Sequence, residues 1–195
     1  MQPTAPDLEL LLDDEVATTA LAGAMAGCVG PGFVLYLSGD LGAGKTALTR
    51  ALLRALGHTG RVRSPTFTLS ESYNLPNFEL YHFDFYRFSA SDEWRDLGFD
   101  ELLGGAGAAV IEWPELGGPS LPEPDVGLRL DAPELPDILG AREARDDHGG
   151  APRIARLRAG SERGRRCLSA IAQAASGGSL AGVSLRAASP APPLR

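Results

Sequence analysis

Apolar and polar positions along this chain change period several times, and each change marks an element. Leu8 to Leu12 is an apolar run of strand length. Asp13 or Asp14 then offers an N-cap, and Glu15 to Ala26 predicts an alanine-rich helix leading into the loop Gly30-Pro31-Gly32. Phe33 to Leu37 is short, apolar and β-prone, as a buried strand is, and Thr46 to Leu56 predicts a helix that stops at Gly57. From Thr66 the period falls to two. Phe67, Leu69, Glu71 and Tyr73 alternate with Thr66, Thr68, Ser70 and Ser72, the pattern of a half-buried strand. Asn74-Leu75-Pro76-Asn77 supplies a turn, and Phe78 to Tyr86 a second strand rich in aromatics. Two strands joined so closely must run antiparallel.

Further on, Ser89-Ala90-Ser91-Asp92 caps a short helix ending near Gly98, and Asp100 to Leu103 adds one more turn. Ala108 to Ile111 predicts a buried strand ending at Glu112. Val126 to Leu130 and Ile154 to Arg158 predict two more, joined by a long, charged segment from about 133 to 151 that is expected to be mobile. Glu162 to Ala175 predicts a terminal amphipathic helix, and the Gly, Ser, Ala and Pro content from Ser176 onward predicts disorder. The fold class is therefore α/β with a mixed sheet: a three-layer domain over residues 1–160, then a helix and tail over 161–195.

Composition narrows the function without naming it. At 195 residues and 44% apolar, the chain is long enough for one real core. Cys28 and Cys167 lie far apart in sequence with no metal or redox spacing, so a reducing cytosol is expected, and nothing resembles a membrane span. Charge is unevenly spread. Residues 141–195 hold ten arginines against four acids, or +6; with −7 for the whole chain, −13 falls on residues 1–140. That acidity argues against tight binding of a polynucleotide by residues 1–140. The arginine-rich end reads as a solvated tail, with contact to RNA or an acidic partner as the alternative.

The central chemistry is Gly39-Asp40-Leu41-Gly42-Ala43-Gly44-Lys45-Thr46. It matches G-x-x-x-x-G-K-[ST] between a predicted strand and a predicted helix, the setting in which this pattern cradles phosphates. The glycines admit backbone geometry that a Cβ forbids, so successive N–H groups can point inward, and the helix N-terminus adds partial positive charge. Lys45 is expected at the β- and γ-phosphates, and Thr46 on Mg²⁺.

Such a loop needs a further acid, because Mg²⁺ is a hard cation held through carboxylates and water. Glu112 at the end of Ala-Ala-Val-Ile fits, and Asp84 in Tyr81-His82-Phe83-Asp84-Phe85-Tyr86-Arg87 is the second candidate. Pairing with Arg87 is the structural alternative for Asp84, and a cap or solvent contact that for Glu112. The sequence leaves open which lies nearer the metal. His82 reads as a packed, hydrogen-bonded ring, with a catalytic base as the alternative, and Trp113 as a packing residue, with an aromatic edge near a nucleotide as the alternative. Ser64 and Thr66 flank Pro65 on a stiff, extended connection, where a hydroxyl can sense a γ-phosphate.

Taken together, the phosphate loop, Ser64-Pro65-Thr66-Phe67-Thr68-Leu69, His82-Phe83-Asp84-Phe85-Tyr86-Arg87 and Ile111-Glu112-Trp113-Pro114-Glu115 resemble the bacterial ATPase subunit of tRNA threonylcarbamoyladenosine synthesis, the TsaE (formerly YjeE) family. The resemblance spans residues 8–160. It implies a small P-loop ATPase that binds and hydrolyses ATP with Mg²⁺ and works with the TsaD and TsaB proteins, tRNA being held through that complex. It also implies Thr46, Glu112 and Asp84 at the metal, Lys45, Asp84 and Glu112 in the chemistry, Ser64-Pro65-Thr66 as a switch-like segment, and Thr18 near the adenine. Residues 133–151 and those after 160 follow no family pattern.

Overall fold

The structure, a computed structural model, describes residues 7–103, 105–133 and 150–186. Most of the segment expected to be mobile, and the last nine residues of the tail, lie outside these.

A single eight-stranded sheet organises the chain, in the order β3-β4-β5-β2-β6-β7-β1-β8. Its strands are β1 (Leu8–Leu12), β2 (Val34–Ser38), β3 (Ser70–Asn74), β4 (Glu79–Asp84), β5 (Ala108–Glu112), β6 (Val126–Asp131), β7 (Arg153–Ala159) and β8 (Val183–Arg186). The middle strands β4, β5, β2 and β6 run parallel, whereas β3, β7, β1 and β8 join by antiparallel pairing. The mixed sheet predicted from the hairpin is thus present, with antiparallel strands at both ends.

Three helices, α1 (Glu15–Ala26), α2 (Lys45–Ala55) and α5 (Glu162–Ser176), share one core with one face of the sheet. Asp14 begins α1 by accepting a hydrogen bond from the Ala17 N–H at 2.8 Å. Leu21, Ala22 and Met25 of α1, Leu48, Leu52 and Leu53 of α2, and Ile171 of α5 pack there against Leu10, Leu12, Leu35, Leu37, Leu128 and Leu157. The opposite face is covered over β4, β5 and β2 by a second core. There the short helices α3 (Glu93–Asp96) and α4 (Phe99–Leu103) bring Trp94 and Phe99 onto Phe83, Ala109 and Ile111. Phe83 and Phe99 sit 4.9 Å apart, and Phe85 stacks on Phe88 at 4.5 Å.

Several expectations change. The strand predicted from Thr66 starts only at Ser70, because residues 66–69 form a turn in which the Leu69 N–H bonds the Pro65 carbonyl and Leu69 takes φ 64°. Phe67, expected on a buried face, is 82% exposed. Strand β4 stops at Asp84 instead of Tyr86. The disorder expected from Ser176 does not hold for Val183–Arg186, which pair with β1.

Nor is the arginine-rich end a solvated tail throughout. Arg129, Arg156, Glu9 and Arg186 lie in register across β6, β7, β1 and β8. Glu9, 1% exposed, accepts from Arg156 at 2.9 Å and Arg186 at 3.2 Å. The two cysteines, distant in sequence, are neighbours in the fold, where burial and the Cys28 thiol push the Cys167 pKa up.

Candidate functional site

Strands β2, β5 and β4 are parallel neighbours, so their C-terminal ends open on one edge of the sheet, where α/β proteins place ligands. The loop after β2 starts at Gly39, with φ 130° and so close to β6 that a Cβ would run into the Leu130 carbonyl. Gly42 (φ 80°) and Gly44 (φ 106°) also occupy the left-handed region, and Gly44 is the N-cap of α2. Asp40 and Leu41 form the outer turn, Leu41 being 76% exposed, while the Ala43 N–H closes the loop on the Asp40 carbonyl at 3.0 Å.

Lys45 is buried and folded back into this loop. Its ammonium donates to the Gly39 carbonyl at 2.6 Å and to that of Asp40 at 3.0 Å, and lies 3.9 Å from the centre of the Trp113 ring. Burial pushes its pKa down, and Glu112, Glu115, Asp84 and Asp40 partly oppose that. Trp113 adopts φ 58°, so the chain turns sharply after Glu112 and brings its ring over the lysine.

The two acids predicted from sequence meet here. Asp84 and Glu112 end adjacent strands in direct register and are both buried. Glu112 Oε1 accepts from the Thr46 hydroxyl at 2.9 Å and lies 2.8 Å from His82 Nε2. The His82 ring is thus packed and bonded as expected, but its partner is a site residue. Asp84 pairs with Thr66 instead of Arg87: it accepts from the Thr66 hydroxyl at 2.6 Å and from the Tyr86 N–H at 2.9 Å. Ser64 shares a 2.8 Å hydrogen bond with Thr66, so of the two hydroxyls predicted to act as a switch Thr66 bonds Asp84 directly and Ser64 is linked to it through Thr66. Arg87 lies over the exposed Phe67 ring.

These groups line a cavity of about 230 Å³ bounded by the loop from Leu41 to Ala47, Ser64, Thr66, Asp84, Tyr86, Glu112 and Trp113. A second cleft of about 180 Å³ shares Ala43, Gly44 and Ala47 with it and continues to Asp14, Glu15, Thr18, Leu130, Ala151 and Arg153. Thr18 therefore faces the far side of the loop from Thr46, and its hydroxyl bonds the Asp14 carbonyl one helical turn back. Gly39 and Asp40 meet the Lys45 ammonium through their carbonyls.

Sequence reasoning missed Tyr86 as a wall of the cavity, the placing of Trp113 over Lys45, and Arg153, 110 residues from the loop it touches. A conspicuous tryptophan directly after a candidate acid was a usable signal; for Arg153 there was none.

The Thr46 hydroxyl and the Glu112 and Asp84 carboxylates are hard oxygen donors suited to Mg²⁺. Among the described residues no group of three or more His, Cys, Asp or Glu could hold a metal, so this pair would need phosphate and water to complete a coordination shell. The chemistry available is that of an anion cradle with one ammonium, two carboxylates and a ring of hydroxyls.

Comparison with known proteins points the same way. Residues 12–137 match the family model described as threonylcarbamoyl adenosine biosynthesis protein TsaE. Proteins called tRNA threonylcarbamoyladenosine biosynthesis protein TsaE are similar in Haemophilus influenzae, 45% identical over 98 residues, and in Bacillus subtilis, 46% identical over 106. Those matches cover 50% and 54% of this chain, and 62% and 66% of the relatives, so they span a little under two thirds of each relative. The crystal structure of YdiB from Bacillus subtilis superposes with a TM-score of 0.67 at 29% identity, covering 88% of this chain and 97% of YdiB. The chain belongs to the TsaE family.

Proposed function

We propose that the protein is a Mg²⁺-dependent ATPase that supports threonylcarbamoyladenosine modification of tRNA together with TsaD and TsaB. The observation that carries this reading is the meeting of Lys45 and Thr46 with Glu112 and Asp84 at the ends of parallel strands, in a family concerned with that modification. The second cleft, with Thr18 and Glu15, would take the adenosine end, and the cavity by Asp84 the γ-phosphate.

The residues divide the work. Lys45 exchanges the carbonyls of Gly39 and Asp40 for phosphate oxygens and neutralises their charge, aided by inward N–H groups and the start of α2. Asp84, held by Thr66 and Tyr86, orients a water for attack on the γ-phosphorus. Glu112, steadied by His82, would hold the metal with Thr46; when bound, Mg²⁺ neutralises charge shared between the phosphates. Thr66 and Ser64, tied to Asp84, carry the state of the phosphate to an exposed surface at Phe67 and Arg87. No step requires this chain to grip tRNA, which suits the −13 charge of residues 1–140.

The test is phosphate release from ATP, alone and with TsaD, TsaB and tRNA, beside threonylcarbamoyladenosine formation. Lys45→Ala is expected to lower both by about a hundredfold or more. Unchanged rates would end the reading. A phosphorylated metabolite in place of free phosphate would make the protein a phosphotransferase, and ATP-dependent assembly without cleavage would make it a switch.

A further inference from the structure

A phosphate loop poses a problem that its own sequence does not solve. If its N–H groups face a ligand, the carbonyls of the same peptides face the other way, and something must hold them. Here that role falls to Arg153, the first residue of β7, outside the stretch that matches the family model. Its Nε donates to the Ala43 carbonyl at 2.9 Å, and Nη2 lies 3.5 Å from that of Gly42. Nη1 is fixed to its own strand start through the carbonyls of Ala151 and Pro152, both at 2.9 Å. The strand itself is fixed, since Arg153 pairs with Leu12 of β1. A planar fork anchored at one end thus grips two successive loop carbonyls at the other.

We infer that Arg153 is a positioning residue for the phosphate loop, setting the affinity for nucleoside di- and triphosphates from outside the loop; this rests on the nucleotide-binding reading above. A peptide unit is planar, so fixing the Ala43 carbonyl also fixes the Gly44 N–H on the opposite side. The Gly42–Ala43 peptide is already held by the Ala43 N–H on the Asp40 carbonyl, but the Ala43–Gly44 peptide leads into a glycine of positive φ with no Cβ to restrict it, so the arginine is what holds that peptide. Ordering it in advance removes a cost that the ligand would otherwise meet on binding. A lysine cannot replace the fork, because one ammonium reaches one carbonyl without the plane that matches two.

The experiment measures binding of ATP, ADP and AMP, and kcat and KM for hydrolysis, in wild type, Arg153→Ala, Arg153→Lys and Lys45→Ala, with thermal melts beside them. Arg153→Ala is expected to weaken ATP and ADP alike by about tenfold, the worth of one or two hydrogen bonds from a charged donor. AMP binding is expected to hold, kcat to stay within about threefold because the bound nucleotide orders the loop, and Arg153→Lys to recover part of the loss. Wild-type affinity in Arg153→Ala overturns the inference, as does an equal loss for AMP, which would make the arginine a nucleoside contact. If Arg153→Ala melts too low to assay, full rescue by lysine overturns it in the same way. If wild type binds no ATP and Lys45→Ala changes nothing, the nucleotide-binding reading itself has failed. If Lys45→Ala abolishes binding and Arg153→Ala keeps wild-type affinity, only this inference has.

Discussion

Glu112 Oε1 receives both the Thr46 hydroxyl and the His82 ring nitrogen, while Asp84 receives the Thr66 hydroxyl and the Tyr86 N–H. The two acids therefore have different attachments although they stand side by side. One is tied to the phosphate loop and the other to the 64–69 segment. Glu112→Gln keeps the shape but loses the charge beside Thr46. It is expected to cut phosphate release by about a hundredfold while leaving binding of a non-hydrolysable ATP analogue within several-fold. A glutamine variant that hydrolyses ATP at the wild-type rate would take Glu112 out of the chemistry. Thr66→Val removes only the hydroxyl on Asp84 and is expected to lower kcat by about tenfold, the worth of one short hydrogen bond to a carboxylate, with KM nearly unchanged. A rise in KM alone would make Thr66 a binding residue. Both acids were legible because an ionisable residue at the end of an apolar strand, as Glu112 was expected to be, or within an aromatic one, as Asp84 was, has few structural uses. The Thr66 bond to Asp84 was not, since alternating Thr, Phe and Leu fits a strand as well as the turn that Pro65 and Leu69 make.

At the scale of elements, the local signals that worked were those whose physics is local. Asp14 at the N-cap, the glycine-rich loop before α2 and the turn between β3 and β4 each depend on a few adjacent residues, and each was placed within a residue or two. Strand β8 depends on none. Val183–Arg186 is four residues in a Gly- and Ser-rich stretch, and it is a strand because β1 offers unpaired backbone groups beside it. The row from Arg129 through Arg156 and Glu9 to Arg186 likewise exists only once four strands are in register. Its centre is testable. Glu9→Gln leaves two arginines facing a neutral amide at a buried position and is expected to cost roughly 2–4 kcal/mol, at the lower end because both arginines are partly exposed. Urea denaturation measures it, and a change under about 0.5 kcal/mol would make the row a surface network of the usual small worth.

The whole molecule carries a pH dependence that follows from weak acids whose pKa the fold raises. Burial, helped by Glu123, raises the pKa of Tyr36, whose hydroxyl donates to the Pro122 carbonyl. Burial also raises Tyr73, a hydrogen bond to Glu79 raises Tyr81, and burial beside Cys28 raises Cys167. These groups ionise near 9.0 for the thiol and 10.0 for the phenols when free of the fold. Above those values the unfolded chain releases protons that the folded chain still holds, so unfolding is favoured as pH rises. Their contribution is complete below about pH 9 and falls progressively above it. Lys45 runs the other way. Its lowered pKa means the fold releases that proton early, so its contribution grows as pH approaches 10.5. The loss from the thiol starts near pH 9 and that from the phenols near pH 10, where the gain from Lys45 is ending, so the protein is expected to lose stability as pH rises above about 10. Tyr36→Phe should flatten that fall, because its ring stays packed against the second core while the titrating hydroxyl is gone. ATP at about a hundred times its dissociation constant should add about 2.7 kcal/mol by mass action and move the alkaline midpoint upward. Urea titrations at several pH values, with tyrosinate absorption to follow the phenols, check all three. A stability that shows no fall above about pH 10 would mean that these phenols and the Cys167 thiol do not set the alkaline limit of the fold.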